Sequence, residues 1–124
     1  MILVDTSIWV RFLANREPFA TVLDQLLERD DVAGHEYVYG ELLVGDRGGR
    51  SRLLTAYALM PQLDRIPHAE VVTFARERRL LGLGVGWIDI HLLASAIASS
   101  CQLYSADNRL AETARQLRIA YRRE

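Results

Sequence analysis

Two short apolar runs near opposite ends of the chain, Met1-Ile2-Leu3-Val4 and Leu103-Tyr104-Ser105-Ala106, each run directly into an aspartate, Asp5 and Asp107. An apolar run of that length closed by a polar residue fits a buried strand, and the segments between the two carry helical periodicity. Strands alternating with helices form a parallel sheet with helices on both faces. In such open sheets ligands bind at the carboxyl edge, where both aspartates fall. The expectation is an α/β fold: one single-domain α/β/α sandwich over residues 1 to 124 with a central, mostly parallel sheet. At 124 residues the chain is large enough to bury a core without disulfides.

The pattern between those ends supplies the remaining elements. Asp5-Thr6-Ser7 offers capping groups for a helix through Leu13, with Ile8, Trp9, Phe12 and Leu13 on one side. That side is expected to be core against the next helix; an exposed Trp9 would instead mark a partner groove. Pro18 stands near the start of a second helix carrying Phe19, Val22, Leu23, Leu26 and Leu27. Residues 32 to 35 read as a short strand, 36 to 44 as a helix closed by Gly45, and 51 to 59 as another. Residues 62 to 66 read as extended and 69 to 81 as an arginine-studded helix. Gly82, Gly84 and Gly86 then deliver the chain to a helix over 89 to 99, rich in the alanine and serine that allow close packing. A strand over 102 to 105, a helix over 108 to 117 and an edge strand over 119 to 121 complete the series.

Composition removes several classes. No apolar run approaches the roughly 20 residues of a membrane span, and the N-terminus lacks the pattern of a signal peptide, so the expected location is cytoplasmic. The lone cysteine, Cys101, reads as a small structural residue at a helix-to-strand junction. All 15 basic residues are arginine. A phosphate loop or an aspartate-based phosphotransfer site after the first strand needs a lysine, so those rivals for Asp5 lose a required part. Net charge is −1, but residues 17 to 46 hold eight acids and one arginine, while arginines cluster at 47–52, 76–79 and 115–123. Those clusters suit phosphate contact, because guanidinium matches phosphate oxygens bidentately; solvated helix faces are the plain alternative.

Asp5, Glu41, Asp89 and Asp107 all lie where a parallel sheet can gather them at one mouth. Grouped carboxylates without a cation repel. Mg2+ or Mn2+ resolves the repulsion, being a hard ion held by a few carboxylates that leaves positions for substrate phosphate. A pair of such ions about 4 Å apart can activate water for in-line displacement at phosphorus. Other nucleophiles look poor: Cys101 has no histidine near it in sequence, and His35, His68 and His91 show no metal-ligand spacing. His35, at the end of a strand by the mouth, is the best placed of the three.

The stretches Ile2-Leu3-Val4-Asp5-Thr6-Ser7, Gly40-Glu41-Leu42-Leu43-Val44-Gly45, Trp87-Ile88-Asp89-Ile90-His91-Leu92-Leu93-Ala94-Ser95-Ala96 and Leu103-Tyr104-Ser105-Ala106-Asp107 resemble, in order, the four acidic motifs of the PIN-domain ribonucleases. The closest subgroup is the VapC toxins of type II toxin-antitoxin systems. The resemblance implies a Mg2+- or Mn2+-dependent endoribonuclease that cleaves structured RNA, tRNA or rRNA, and so inhibits translation. It implies a VapB-type antitoxin that blocks the site, and a toxin homodimer within a larger assembly. Carried over by position, Asp5, Glu41, Asp89 and Asp107 match the catalytic, metal-binding acids, and Ser7 matches the hydroxyl supporting the first aspartate. Two departures stand out: Ser105 replaces a frequent threonine, and Asn108 follows Asp107 where some relatives place another acid, which implies a weaker second metal position. Two other classes share parts of the pattern. A non-catalytic nucleic-acid or antitoxin-binding module would not turn over in metal, and a DNA flap nuclease would need helical insertions that this chain lacks.

Overall fold

The computed structural model describes residues 1 to 122. Three strands, β1 (Ile2–Val4), β2 (Val32–Ala33) and β3 (Gln102–Tyr104), form a wholly parallel sheet in the order β2-β1-β3. Seven helices flank it: α1 (Thr6–Leu13), α2 (Phe19–Glu28), α3 (Glu36–Val44), α4 (Ser51–Leu59), α5 (His68–Glu77), α6 (Trp87–Ala98) and α7 (Asn108–Gln116). The register pairs Ile2 with Val32 and Gln102, and Val4 with Tyr104, so β1 is central and its side chains are buried on both faces. That two-sided burial is why β1 reads as a continuous apolar run and not as an alternating one.

Strand and helix limits follow the sequence pattern closely, with three differences. The expected edge strand over 119 to 121 is a single parallel bridge, Leu103 to Ala120, held by Leu103 N–H donating to Ile119 (2.7 Å) and Tyr121 N–H donating to Leu103 (2.9 Å). The extended segment after Pro61 likewise makes one bridge, Gly34 to Gln62, and a Cβ on Gly34 would force the Gln62 side-chain amide to move. Finally, α5 stops at Glu77 and not near Leu81, because Arg79 turns into the left-handed region (φ 57°) and Leu80 N–H bonds back to Ala75 (2.9 Å) while its side chain is buried.

That stop is a repeated device. Asn15, Asp30, Arg79, Ser100 and Arg118 all have positive φ, and the residue after each donates its N–H to a carbonyl five positions back: Arg16 to Arg11, Asp31 to Leu26, Leu80 to Ala75, Cys101 to Ala96 and Ile119 to Ala114. This is the left-handed helix stop that satisfies terminal carbonyls and reverses the chain. Three of the five stops, at Asp30, Ser100 and Arg118, feed the chain within two residues into β2, β3 or the Ala120 bridge.

The core is continuous. α6 is buried on every side from Ile90 to Ala96, as its small residues predict for a helix pressed into the fold. On α1, Ile8 and Trp9 are buried and face Val22, Leu23 and Leu26 of α2 within the same cluster. Trp9 is 1% exposed and packs edge-to-face on Phe12 (5.9 Å) and Tyr57 (5.4 Å), so this side of α1 is core and not a groove.

Two stability outcomes follow. Trp9→Ala should cost about 3 to 5 kcal/mol in urea unfolding, as expected for emptying a buried aromatic site. Trp9→Phe should cost clearly less, because the indole N–H is buried without a partner. Arg118→Gly should raise stability by about 0.5 to 1 kcal/mol, since glycine occupies a left-handed position without the Cβ penalty; an unchanged or lowered melting temperature would refute the assigned stop.

Candidate active site

Asp5 is the first residue beyond β1, and its N–H donates to Tyr104 O at the end of β3 (3.0 Å). Its carboxylate is buried. Oδ1 accepts from Ser7 Oγ (2.5 Å) and from Ile8 N–H (3.3 Å), the second bond capping α1, while Oδ2 accepts from Ser105 Oγ (2.7 Å). The two hydroxyls also accept from the β3–α7 turn: Ser7 Oγ from Ala106 N–H (2.9 Å) and Ser105 Oγ from Asp107 N–H (3.0 Å). Ser7 therefore supports Asp5, and Ser105 does so equally. The sequence reading noted Ser105 only as a variation on threonine; its signal was a hydroxyl two residues before an aspartate, mirroring Ser7 two residues after one.

Asp107 is exposed and caps α7, with Oδ1 accepting from Arg109 N–H and Leu110 N–H at 3.0 Å each. Among the described residues its other oxygen accepts no hydrogen bond. Glu41 is exposed in the last turns of α3, and Thr6 Oγ1 donates to its Oε1 (2.7 Å). Thr6 was read only as a capping group, so its role in aiming Glu41 is another that sequence reasoning missed. Asp89 lies in the first turn of α6, half-buried, behind the Gly86 that begins the helix.

The four acids sense one another. Asp89 is raised from 3.8 to about 6, first by burial and then by the charges of Asp5, Glu41 and Asp107. Asp5 is also raised, chiefly by burial and further by Asp107, against the opposing hydrogen bonds from Ser7, Ser105 and Ile8. No cation offsets them: the ion pairs among the described residues are the N-terminus with Asp31, Arg65 with Glu36, and Arg115 with Glu112. The carboxylates are grouped but not closed into a shell, since no three His, Cys, Asp or Glu side chains among the described residues are placed to hold one ion as they stand.

Of the other candidates, His35, His91 and Cys101 are structural. His35 is fully buried and caps α3, with Nδ1 accepting from Tyr37 N–H (3.1 Å). Its Nε2 lies 3.0 Å from Ser95 Oγ, which itself donates to Asp64 O (2.9 Å), so the network assigns the proton to Nε2. Burial lowers this imidazole to about 4, leaving it neutral and committed. His91 is buried against Tyr37 and Trp87, and His68 opens α5 at the surface. Cys101 is buried and unoxidised at the junction of α6 with β3, as expected. Beside Glu41, a cleft of about 500 Å³ runs between α3 and α6, walled mainly by Tyr37, Gly40, Val44, Gly45 and Ile88.

A buried aspartate at the end of a central parallel strand, with three more acids in electrostatic reach of one another, has the donor chemistry that suits a hard cation. Comparison with known proteins agrees with that architecture. A model of the PIN domain family matches residues 2–116. The chain is 36% identical over 111 residues to Ribonuclease VapC32 of Mycobacterium tuberculosis, in two strains, covering 89% of this chain and 87% of that protein. Among solved structures it resembles FitAcB from Neisseria gonorrhoeae (TM-score 0.66, 21% identity, 93% of this chain and 94% of that one). It also resembles PAE2754 from Pyrobaculum aerophilum (TM-score 0.58, 22% identity, 90% and 83%). Matched over nearly all its length by the family model and by a ribonuclease relative, this chain belongs to the PIN domain family, in its VapC-type branch.

Proposed function

We propose that this protein is the toxin of a toxin-antitoxin pair, an endoribonuclease that depends on a divalent cation and cuts structured RNA in the cytoplasm, so inhibiting translation. The observation that carries the reading is the set of four coupled, uncompensated carboxylates at the carboxyl edge of the sheet. Their donor chemistry fits Mg2+ or Mn2+: oxygen only, anionic, and destabilised until positive charge arrives. Asp5, Glu41, Asp89 and Asp107 are the residues that would hold the ion. Once bound, it supplies Lewis acidity at a phosphate oxygen and acidifies water near the phosphorus.

The chain's own residues divide the remaining work. Ser7 and Ser105 fix both oxygens of Asp5, so the central acid is preorganised when substrate arrives. Thr6 aims Glu41 toward the same mouth. Asp89, half-buried and raised to about 6 by burial and the three neighbouring acids, is an acid whose charged form a neighbouring cation would stabilise. Hydrolysis by water attacking in line is expected to leave a 5′-phosphate and a 3′-hydroxyl.

The proposed partners are an antitoxin of the VapB type and a second copy of the chain. The exposed apolar residues Val44 and Ile88, which line the cleft beside Glu41, support such an interface. No helix among the described residues is long and apolar enough to cross a membrane.

Purified protein incubated with total bacterial RNA and Mg2+ or Mn2+ should give discrete cuts that EDTA abolishes, and Asp89→Asn should reduce them by more than about 100-fold while the circular dichroism spectrum is kept. Turnover that persists in EDTA or in Asp89→Asn would sink the metal-dependent reading. A folded protein that binds RNA without cutting it under any metal would favour the binding module.

Melting without metal supplies a second check. Asp5 and Asp89 have raised folded-state values, so the folded protein holds more protons than the unfolded chain between 3.8 and about 6, and stability is lost as pH rises through that window. Asp89→Asn should therefore melt above the parent at about pH 8, with the gap closing toward about pH 4. Added Mn2+ should stabilise the parent more at the higher pH, and equal shifts at both would contradict the shared site.

A further inference from the structure

One large exposed aromatic side chain, on the helix that carries Asp89, has no part in the reading above. Trp87 opens α6 two residues before Asp89, directly after the glycine-punctuated stretch from Gly82 to Gly86. Its indole is 44% exposed, whereas Trp9 is buried in the core. Leaving so large a ring in water forgoes the burial that aromatic side chains otherwise supply.

The ring is not loose. It meets His68 edge-to-face at 5.3 Å and His91 at 4.8 Å. Behind it, His91 packs on Tyr37 at 5.1 Å, and Tyr37 on His35 at 5.2 Å. A chain of aromatic contacts thus braces the exposed indole against buried His35. His68 is exposed next to it, and exposed Arg65 is close enough for its charge to reach both His35 and His91. Arg65 has only a long, exposed pairing with Glu36, 3.9 Å from Nε, so its guanidinium is largely free for another anion.

A braced, half-exposed indole with an imidazole against it, and an arginine whose charge reaches the histidine behind it, has the composition that recognises an unstacked nucleobase and its phosphate. We propose that Trp87, with His68 beside it, is a substrate-positioning platform on which a base of the RNA near the cut phosphate stacks. The inference rests on the nuclease reading and narrows it: the base must leave its helix to reach the ring, so cuts fall in loops or single strands and not within duplex.

The test uses the parent protein, Trp87→Ala and Trp87→Phe. With a single-stranded oligoribonucleotide containing a mapped cut site, Trp87→Ala should raise KM on the order of 10-fold. Its kcat should stay within about twofold, and Trp87→Phe should recover most of the loss by restoring a π face. The same oligoribonucleotide, titrated into the parent in EDTA, should quench the tryptophan fluorescence, and Trp87→Phe should abolish that quenching because Trp9 is buried. Parental KM in Trp87→Ala, or no quenching in the parent, overturns the platform. So does a changed oligomeric state with unchanged KM, which would assign Trp87 to contact with a second copy. If the parent binds and quenches but never cuts RNA, the nuclease reading fails while the platform stands.

Discussion

The structure turns on one buried carboxylate. Asp5 sits at the end of the central strand, where its N–H ties β1 to β3 and its two oxygens are taken by Ser7, Ser105 and the first turn of α1. A buried acid is costly unless hydrogen-bonded, and these bonds repay part of that cost. They also fasten four elements at one point: β1, α1, the end of β3 and the turn into α7. The residual burden is electrostatic, since three further acids share the site and none of them pairs with an arginine among the described residues. The fold thus creates a negative potential that it does not itself neutralise, and the proposed chemistry depends on that imbalance.

The surrounding architecture keeps this node in place economically. Five left-handed helix stops end helices, three of them turning the chain straight into the sheet, even where the residue is arginine or serine and not glycine. The penalty for a β-carbon in that region is accepted because each stop satisfies helix carbonyls and sets the entry of the next segment. Short, fully buried strands follow. The three-residue β1 is fully buried within the same core cluster that holds α6 and the α1–α2 pair, and Asp5 emerges from it at the carboxyl edge.

Much of this was legible in the residues. The apolar runs ending in Asp5 and Asp107 marked parallel strands, and the small residues of α6 marked a helix pressed into the core. Asp5, Glu41, Asp89 and Asp107 were identifiable as one set because each interrupts or borders apolar sequence, and the structure couples them electrostatically. Ser105 and Thr6 were not legible as site residues. Their hydroxyls act across 100 and 35 positions of chain, respectively, and no local pattern reports a partner that distant. His35, the best placed of three histidines read as poor catalytic candidates, is engaged at both ring nitrogens by Ser95 and Tyr37.

The sequence by itself determined the alternation of strand and helix, the apolar core and the identity of the acids, because periodicity and composition are local properties of the chain. Tertiary structure alone decided which hydroxyl restrains which carboxylate, where the last helices stop, how far Asp89 is shifted, and that Trp87 stays at the surface while Trp9 does not. These depend on burial and on distances between residues far apart in the chain, and the folded packing is what sets both.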